Sequence, residues 1–361
     1  MLNDPRVTRM AEILVDYSVA AQKGERAIVV YDEPSKPLLY EVYRLLIERG
    51  VLEINLRPTG EELGEIFFRY SSPEQRTTLP KLYEYLVHNV EIFIILDAPK
   101  NTRYLSGIDP ERQTEFYKTV RPIVNHRVDH TRWVLTQYPT DALAMDAEMS
   151  LSDYEDFLFS AINDVDWKAK TKENLKLAEL MNQTKQVRIV GEDTDLRFSI
   201  EERHAEESTG NFNMPDSEVF TSVVEDSTEG YIHYTYPAIH YGLAVPDVRL
   251  EFKGGKVVKA TAGRNEAELN RLLDGDEGAR RIGEFGVGTN YAIQQFTSNI
   301  LFDEKIGGSI HLALGEGYSE TLSKNESSIH WDMVKDLRQG GEIYFDDQLV
   351  QKDGKFLVKL G

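Results

Sequence analysis

The hydrophobic period of this 361-residue chain changes near Gln186, and that change limits the folds open to it. Upstream, apolar runs at residues 25–32, 51–57, 91–97 and 132–138 read as strands separated by helical patterns. Residues 38–50 place Leu39, Val42, Leu45 and Leu46 on one helical face and close on Gly50. Such a strand-helix rhythm implies a parallel sheet flanked by helices. Residues 150–186 read as helices, with Leu175, Leu177, Leu180 and Met181 as the apolar positions of the second. After Gln186, short alternating strands take over at 187–190, 195–200, 248–252 and 256–260, with one helix near 266–273. A last hairpin, 342–356, carries the Asp-Asp and Asp-Gly signals of tight turns. The expected architecture is an α/β domain over residues 1–185, its parallel sheet flanked by helices, followed by a β-rich α+β domain over 186–361. A chain this long exceeds one ordinary core, which also favours two domains.

Charge and composition exclude several function classes. Lys and Arg number 41 against 61 Asp and Glu, a formal charge of -20 that repels nucleic acid and anionic membrane unless a basic patch overrides it. The densest basic stretch, 121–132, is interleaved with Asp129 and Pro122 and reads as a loop leading into a strand. No cysteine is present, so thiolate metal sites, disulfides and cysteine nucleophiles are excluded, and chemistry falls to oxygen and imidazole groups. The polar opening Met-Leu-Asn-Asp-Pro-Arg-Val has no continuous apolar core of a signal peptide, and no run approaches the ~18 apolar residues of a membrane span. The cytoplasm is the expected compartment. No Gly-x-Gly-x-x-Gly follows the first strand, so a dinucleotide site would lack its phosphate-binding turn.

Near the C-terminal end, His311, His330 and Asp332 stand in two alternating strands. In Ile329-His330-Trp331-Asp332-Met333 the pleat puts His330 and Asp332 on one face and three apolar side chains on the other. His311 and Ala313 share a face in the same way, with Ile310, Leu312 and Leu314 opposite. A His-x-Asp pair on a strand also suits a satisfied surface pair. The apolar anchoring of these two strands sets them apart from His88, His126, His130 and His204, which lie in helical or polar stretches.

Five motifs in order give the chain a resemblance to the thermophilic metalloaminopeptidase family that includes aminopeptidases T and S: Asn213-Met-Pro-Asp-Ser-Glu-Val-Phe-Thr, Gly283-Glu-Phe-Gly-Val-Gly-Thr-Asn, Glu304-Lys-Ile-Gly-Gly-Ser-Ile-His311, Gly317-Tyr318 and His330-Trp-Asp332. Residues 11–18 and 133–157 resemble the family's opening and the join between its domains. The resemblance implies that Glu218, Glu284, His311, His330 and Asp332 ligate two divalent metal ions, with Tyr318 in the same site. It also implies hydrolysis of the N-terminal residue from short peptides with a free N-terminus, through a metal-bridging hydroxide, by a homodimer. Ser217 departs from the acidic or glycine position usual before the ligand glutamate, and 223–228 lacks the expected proline and basic residues. Both departures bear on specificity more than on metal binding.

Charge supports two ions, because Glu218, Glu284, Asp332 and one hydroxide balance two divalent cations. Glycines around Glu284 let backbone approach such a cluster closely, and Glu284 is assigned as the bridging carboxylate; a simple tight turn at Gly286 and Gly288 is the other reading. Tyr318 suits either an oxyanion donor or a structural aromatic at a strand end. Glu304 and Glu316 are candidates for the general base. Carboxylate and imidazole ligands suit zinc, cobalt or manganese, with iron behind them. The alternative function is a mononuclear non-haem Fe(II) ring-cleaving dioxygenase using His311, His330 and Asp332, since some dioxygenases of hydroxylated pyridines resemble the same family.

Overall fold

The computed structural model describes residues 4–240 and 243–360; Met1, Leu2 and Asn3 of the opening segment lie outside it. The chain forms two compact units, one of residues up to Asp164 plus Gly210–Pro215, the other of Val165–Thr209 and Asp216 onward.

In the first unit, β1 (Arg26–Tyr31), β2 (Glu53–Pro58), β3 (Ile92–Asp97) and β4 (Arg132–Gln137) pair in parallel in the order β2-β1-β3-β4, and the short strand Asn213–Met214 joins β4. Three-residue runs, Ala27-Ile28-Val29 and Ile92-Phe93-Ile94, are buried throughout, as strands covered on both faces require. Helix α1 (Lys36–Glu48) buries Leu38, Leu39, Val42, Leu45 and Leu46, the stripe that the periodicity marks. A shorter helix, α2 (Lys81–Val87), precedes β3.

Residues 121–130 are not a loop. They complete α3 (Pro110–His130), which Asp109 caps by accepting from the Glu111 N–H, with Pro110 in the first turn. Pro122 costs the helix one hydrogen bond. Burial outweighs that loss, because Ile123 is buried against β1 and β3 residues and Phe116 meets Phe67 and Phe68 edge-on. The stretch misleads because only Ile123, Val124 and Val128 are apolar within it, while the rest of the stripe lies upstream.

The second unit opens with α4 (Trp167–Gln183). It buries Leu177 and Met181 but leaves Leu175 exposed, and Asn174 takes the inward position instead. Two sheets follow. One has eight antiparallel strands, from Lys256–Thr261 at one edge through Thr194–Ser199 and Gln186–Gly191 to Lys355–Phe356 at the other. Its closing hairpin turns at Asp346 and Asp347, both at positive φ, and again at Asp353-Gly354. The other sheet has five antiparallel strands: β5 (Glu206–Ser208), β6 (Glu218–Thr221), β7 (Ile282–Gly288), β8 (Ser309–Gly315) and β9 (His330–Asp336), ordered β9-β8-β7-β6-β5. Phe198 and Phe285 meet edge-to-face at 5.0 Å between the two sheets, inside one continuous apolar core.

Candidate metal centre

Four neighbouring strands and one loop bring the ionisable groups together. In the antiparallel register His311 on β8 lies opposite Gly286 on β7, and Asp332 and His330 on β9 lie opposite Ala313 and Gly315. Trp331 and Met333 are buried on the other face of β9, so the same pleat that anchors the strand presents the ligand pair. Glu218 begins β6, whose first residue pairs with Gly288.

Small residues make this approach possible. A Cβ on Gly286 would stand 2.0 Å from Cε1 of His311, so the bare backbone at Gly286 is where the imidazole lies. Gly283 and Gly288 are equally closed, with carbonyl oxygens 2.3 Å from their would-be Cβ atoms. Ser217, at φ +102, occupies a conformation that favours glycine; its hydroxyl lies 2.6 Å from that of Thr289, and Asn174 donates to it at 3.3 Å. Asn174 also donates to the Glu218 carbonyl, which ties the start of β6 to α4.

Within the cluster, Nε2 of His311 lies 3.2 Å from one Glu284 oxygen and 3.4 Å from Oε2 of Glu218. Nε2 of His330 lies 3.4 Å from the other Glu284 oxygen and 3.5 Å from Oδ1 of Asp332. Glu284 therefore stands between the two imidazoles. The rear nitrogens face main-chain oxygens, Nδ1 of His311 that of Glu304 at 3.3 Å and Nδ1 of His330 that of Glu316 at 2.7 Å, which orients both rings toward the cluster.

Glu304, a candidate base in the sequence, is placed in the cluster itself, and Lys305 joins it unannounced. The Glu304 carboxylate groups with Glu218 and His311, ligand atoms all within 4.8 Å of one another, as do Glu284, His311 and Asp332. Lys305 is fully buried, its ammonium 3.0 Å from Oε1 of Glu218, 3.9 Å from Asp216 and paired with Glu304. Lys305 is a residue sequence reasoning missed, and the available signal was a lysine in a segment otherwise reading as buried. Glu316 differs from Glu304: its carboxylate accepts from the Ser327 N–H, which leaves it turned to backbone. Tyr318 is 41% exposed at the rim, its ring 5.1 Å from His330 and 5.9 Å from Phe220.

The residues present fit a cation. Among the described residues, Oε2 of Glu218 and Oδ1 of Asp332 are buried with nothing to answer them except an imidazole nitrogen at 3.4 and 3.5 Å, positions that a cation would suit. Burial raises Glu218 to about 8 against the pull of Lys305. Burial alone would lower both imidazoles, but the carboxylates around them outweigh it and raise His311 and His330 to about 10 each. The bare centre thus holds protons in the positions that metal ions would neutralise.

Comparison with known proteins follows the same line. The sequence pattern of the family described as thermophilic metalloprotease (M29) matches residues 3–356. Aminopeptidase 2 of Geobacillus stearothermophilus is 27% identical over 405 aligned positions, covering 98% of this chain and 95% of that protein. Aminopeptidase T of Thermus aquaticus is 34% identical over 140 positions, 34% of each chain. Among solved structures, wild-type AmpT from Thermus thermophilus superposes with a TM-score of 0.85 at 20% identity, covering 98% of this chain and 99% of that one. A 2,5-dihydroxypyridine dioxygenase from Pseudomonas putida KT2440 shares the fold at a TM-score of 0.62 and 12% identity, covering 99% of each chain.

Proposed function

This chain belongs to the thermophilic metalloprotease (M29) family and is a metal-dependent aminopeptidase, and on that premise we propose that it uses two metal ions at the β6–β9 centre. The observation that carries the proposal is charge. Glu218, Glu284, Glu304, Asp332 and Asp216 bring five negative charges and Lys305 one positive, all within one cluster. With neutral imidazoles, the four remaining negative charges match two divalent cations. Glu218, Glu284, His311, His330 and Asp332 would hold the ions, with Glu284, between the two imidazoles, as the candidate bridging carboxylate.

Two ions held by these residues would supply a bridging water of lowered pKa, toward about 7, as the attacking hydroxide, and would polarise the scissile carbonyl. The protein's own groups do the rest. Tyr318 at the rim donates its phenolic hydrogen to the oxygen of the tetrahedral adduct. Glu304, whose carboxylate burial pushes up, takes the proton of the attacking water and returns it to the leaving amine. Peptides with a free N-terminus are the proposed substrates. Short peptides are the substrate class, zinc, cobalt or manganese the fitting ions ahead of iron, and a cytoplasmic homodimer the expected form; light scattering at micromolar concentration tests the dimer. Among the described residues no helix is long and apolar enough to cross a membrane.

The test uses protein stripped of metal and resupplied with zinc, cobalt, manganese or iron, incubated with free and N-acetylated peptides and read by mass spectrometry. Metal-dependent loss of single N-terminal residues from the free peptides only is the expected result. Equal cleavage of acetylated peptides refutes the exopeptidase reading. No cleavage with any metal favours the single-iron dioxygenase built on His311, His330 and Asp332, in which Glu218 and Glu284 would remain uncompensated.

A further inference from the structure

The first unit holds a second concave feature far simpler in composition. A cavity of about 240 Å³ lies between its sheet and helices α2 and α3, walled by Val30, Phe93, Ile95, Tyr83, Ile123 and Val124 and flanked by Arg127. In a chain of net charge -20, most arginines would be expected to find a carboxylate. Arg127 has none. Its guanidinium lies over the rings of Trp133 at 4.5 Å and Phe93 at 5.4 Å, and its Nε is buried without an acceptor. The indole Nε1 of Trp133 is a second buried donor without an acceptor. Arg57, also without an ion pair among the described residues, stacks on Tyr83 at 4.4 Å and adds a second positive charge at that wall.

Apolar walls, an unpaired guanidinium with an unanswered N–H and a second cation nearby call for one kind of ligand: an apolar body bearing acceptors and a negative charge. The volume lies below the ~300–1,000 Å³ that encloses drug-sized ligands, so it suits one group the size of a large side chain. We propose that this cavity binds a small organic carboxylate, its branched or aromatic body against Phe93, Ile95 and Ile123 and its carboxylate on Arg127, whose stacking on Trp133 makes that indole the reporter of binding. The inference is independent of the metal centre. Two sources share the chemistry, a free apolar acid and the C-terminal residue of a peptide.

The three tryptophans supply the readout, since each indole N–H gives one NMR resonance and Trp133→Phe assigns the relevant one. The metal-loaded full chain is titrated with 3-phenylpropionate, with 3-phenylpropionamide, and with N-acetyl-alanyl-phenylalanine as acid and as amide. The expected result is a saturable shift of the Trp133 resonance by an acid and not by its amide, weakened on the order of 10–100-fold by Arg127→Met. A shift by phenylpropionate alone identifies a free acid as the source, and a shift by the peptide acid identifies a peptide C-terminus. No shift, an equal response to acid and amide, or a shift confined to Trp331 beside the metal centre overturns the proposal. If Arg127→Met does not fold, Arg57→Met serves, with a smaller weakening expected and none overturning the role of charge at this wall.

Discussion

Replacing Gly286 by alanine tests whether the close approach of β7 to His311 builds the metal centre. The new methyl would stand 2.0 Å from Cε1 and 2.1 Å from Nε2 of His311, where ordinary contact begins at 3.4 Å. The imidazole must then retreat by about 1.4 Å, or β7 must part from β8. His311 is fully buried with its Nδ1 facing the Glu304 carbonyl, so the ring has little room to retreat without leaving Glu284 and Glu218. Overpacking of this size costs about 1–3 kcal/mol of stability. Misplacing a catalytic group by ~1 Å costs on the order of 100-fold in rate, and disturbed ligand support about 10–100-fold in metal affinity. The expected variant is folded by circular dichroism, melts a few degrees lower, binds zinc at least ~10-fold more weakly in a chelator competition, and loses ~100-fold in kcat/KM. Retention of metal affinity within twofold would refute the claim that Gly286 makes room for His311.

Lys305→Met leaves Glu218, Glu304 and Asp216 without their shared ammonium, so metal-free protein should lose about 3–5 kcal/mol and recover part of it on adding zinc; a melting curve like that of the parent in both states rules this out. Tyr318→Phe should lower kcat about 100- to 1,000-fold with KM little changed, and an unaltered kcat would remove Tyr318 from the mechanism. In the first unit, burial, opposed by the Gln137 hydrogen bond and reinforced by Asp32 and Glu61, raises Asp97 to about 6. Folding therefore favours its protonated form, a contribution whole below about pH 4 and lost as pH rises through 6. Asp97→Asn should be near neutral at pH 4 and stabilise by on the order of 1–3 kcal/mol at pH 8, and equal effects in urea titrations at both pH values would contradict the assignment.

What the sequence disclosed follows from which signals are local. The parallel strands and α1 announce themselves through unbroken or 3.6-periodic apolar residues, and the pleat of β9 predicts which of its residues face the core. Residues 121–130 misread as a loop because the burial that holds α3 together comes from β1, β3 and from Phe67 and Phe68, none of which a local window contains. Leu175 and Asn174 exchange their expected places for a related reason: the amide is drawn inward by Ser217, Thr289 and the Glu218 carbonyl, partners 43 or more residues away. Glu304 and Glu316 read alike as candidate bases, and only the packing of Lys305 against Glu304 and of the Ser327 N–H against Glu316 separates them.

The placement of the candidate ligands also ties the centre to the fold. His311, Glu284 and Asp332 stand on strands whose neighbouring residues, Leu312, Phe285, Trp331 and Met333, form the core. A cluster with four surplus negative charges therefore sits on strands that cannot move apart without exposing that core. Without ions, the repulsion is relieved by protonating His311, His330, Glu218 and Glu304, all held above their ordinary range. Ions that replace those protons bind the folded chain and not the unfolded one, so at 100 times the dissociation constant they add about 2.7 kcal/mol of stability for each independent site. The surplus charge that prepares the centre for catalysis is thus a cost to the empty fold, and metal binding offsets it.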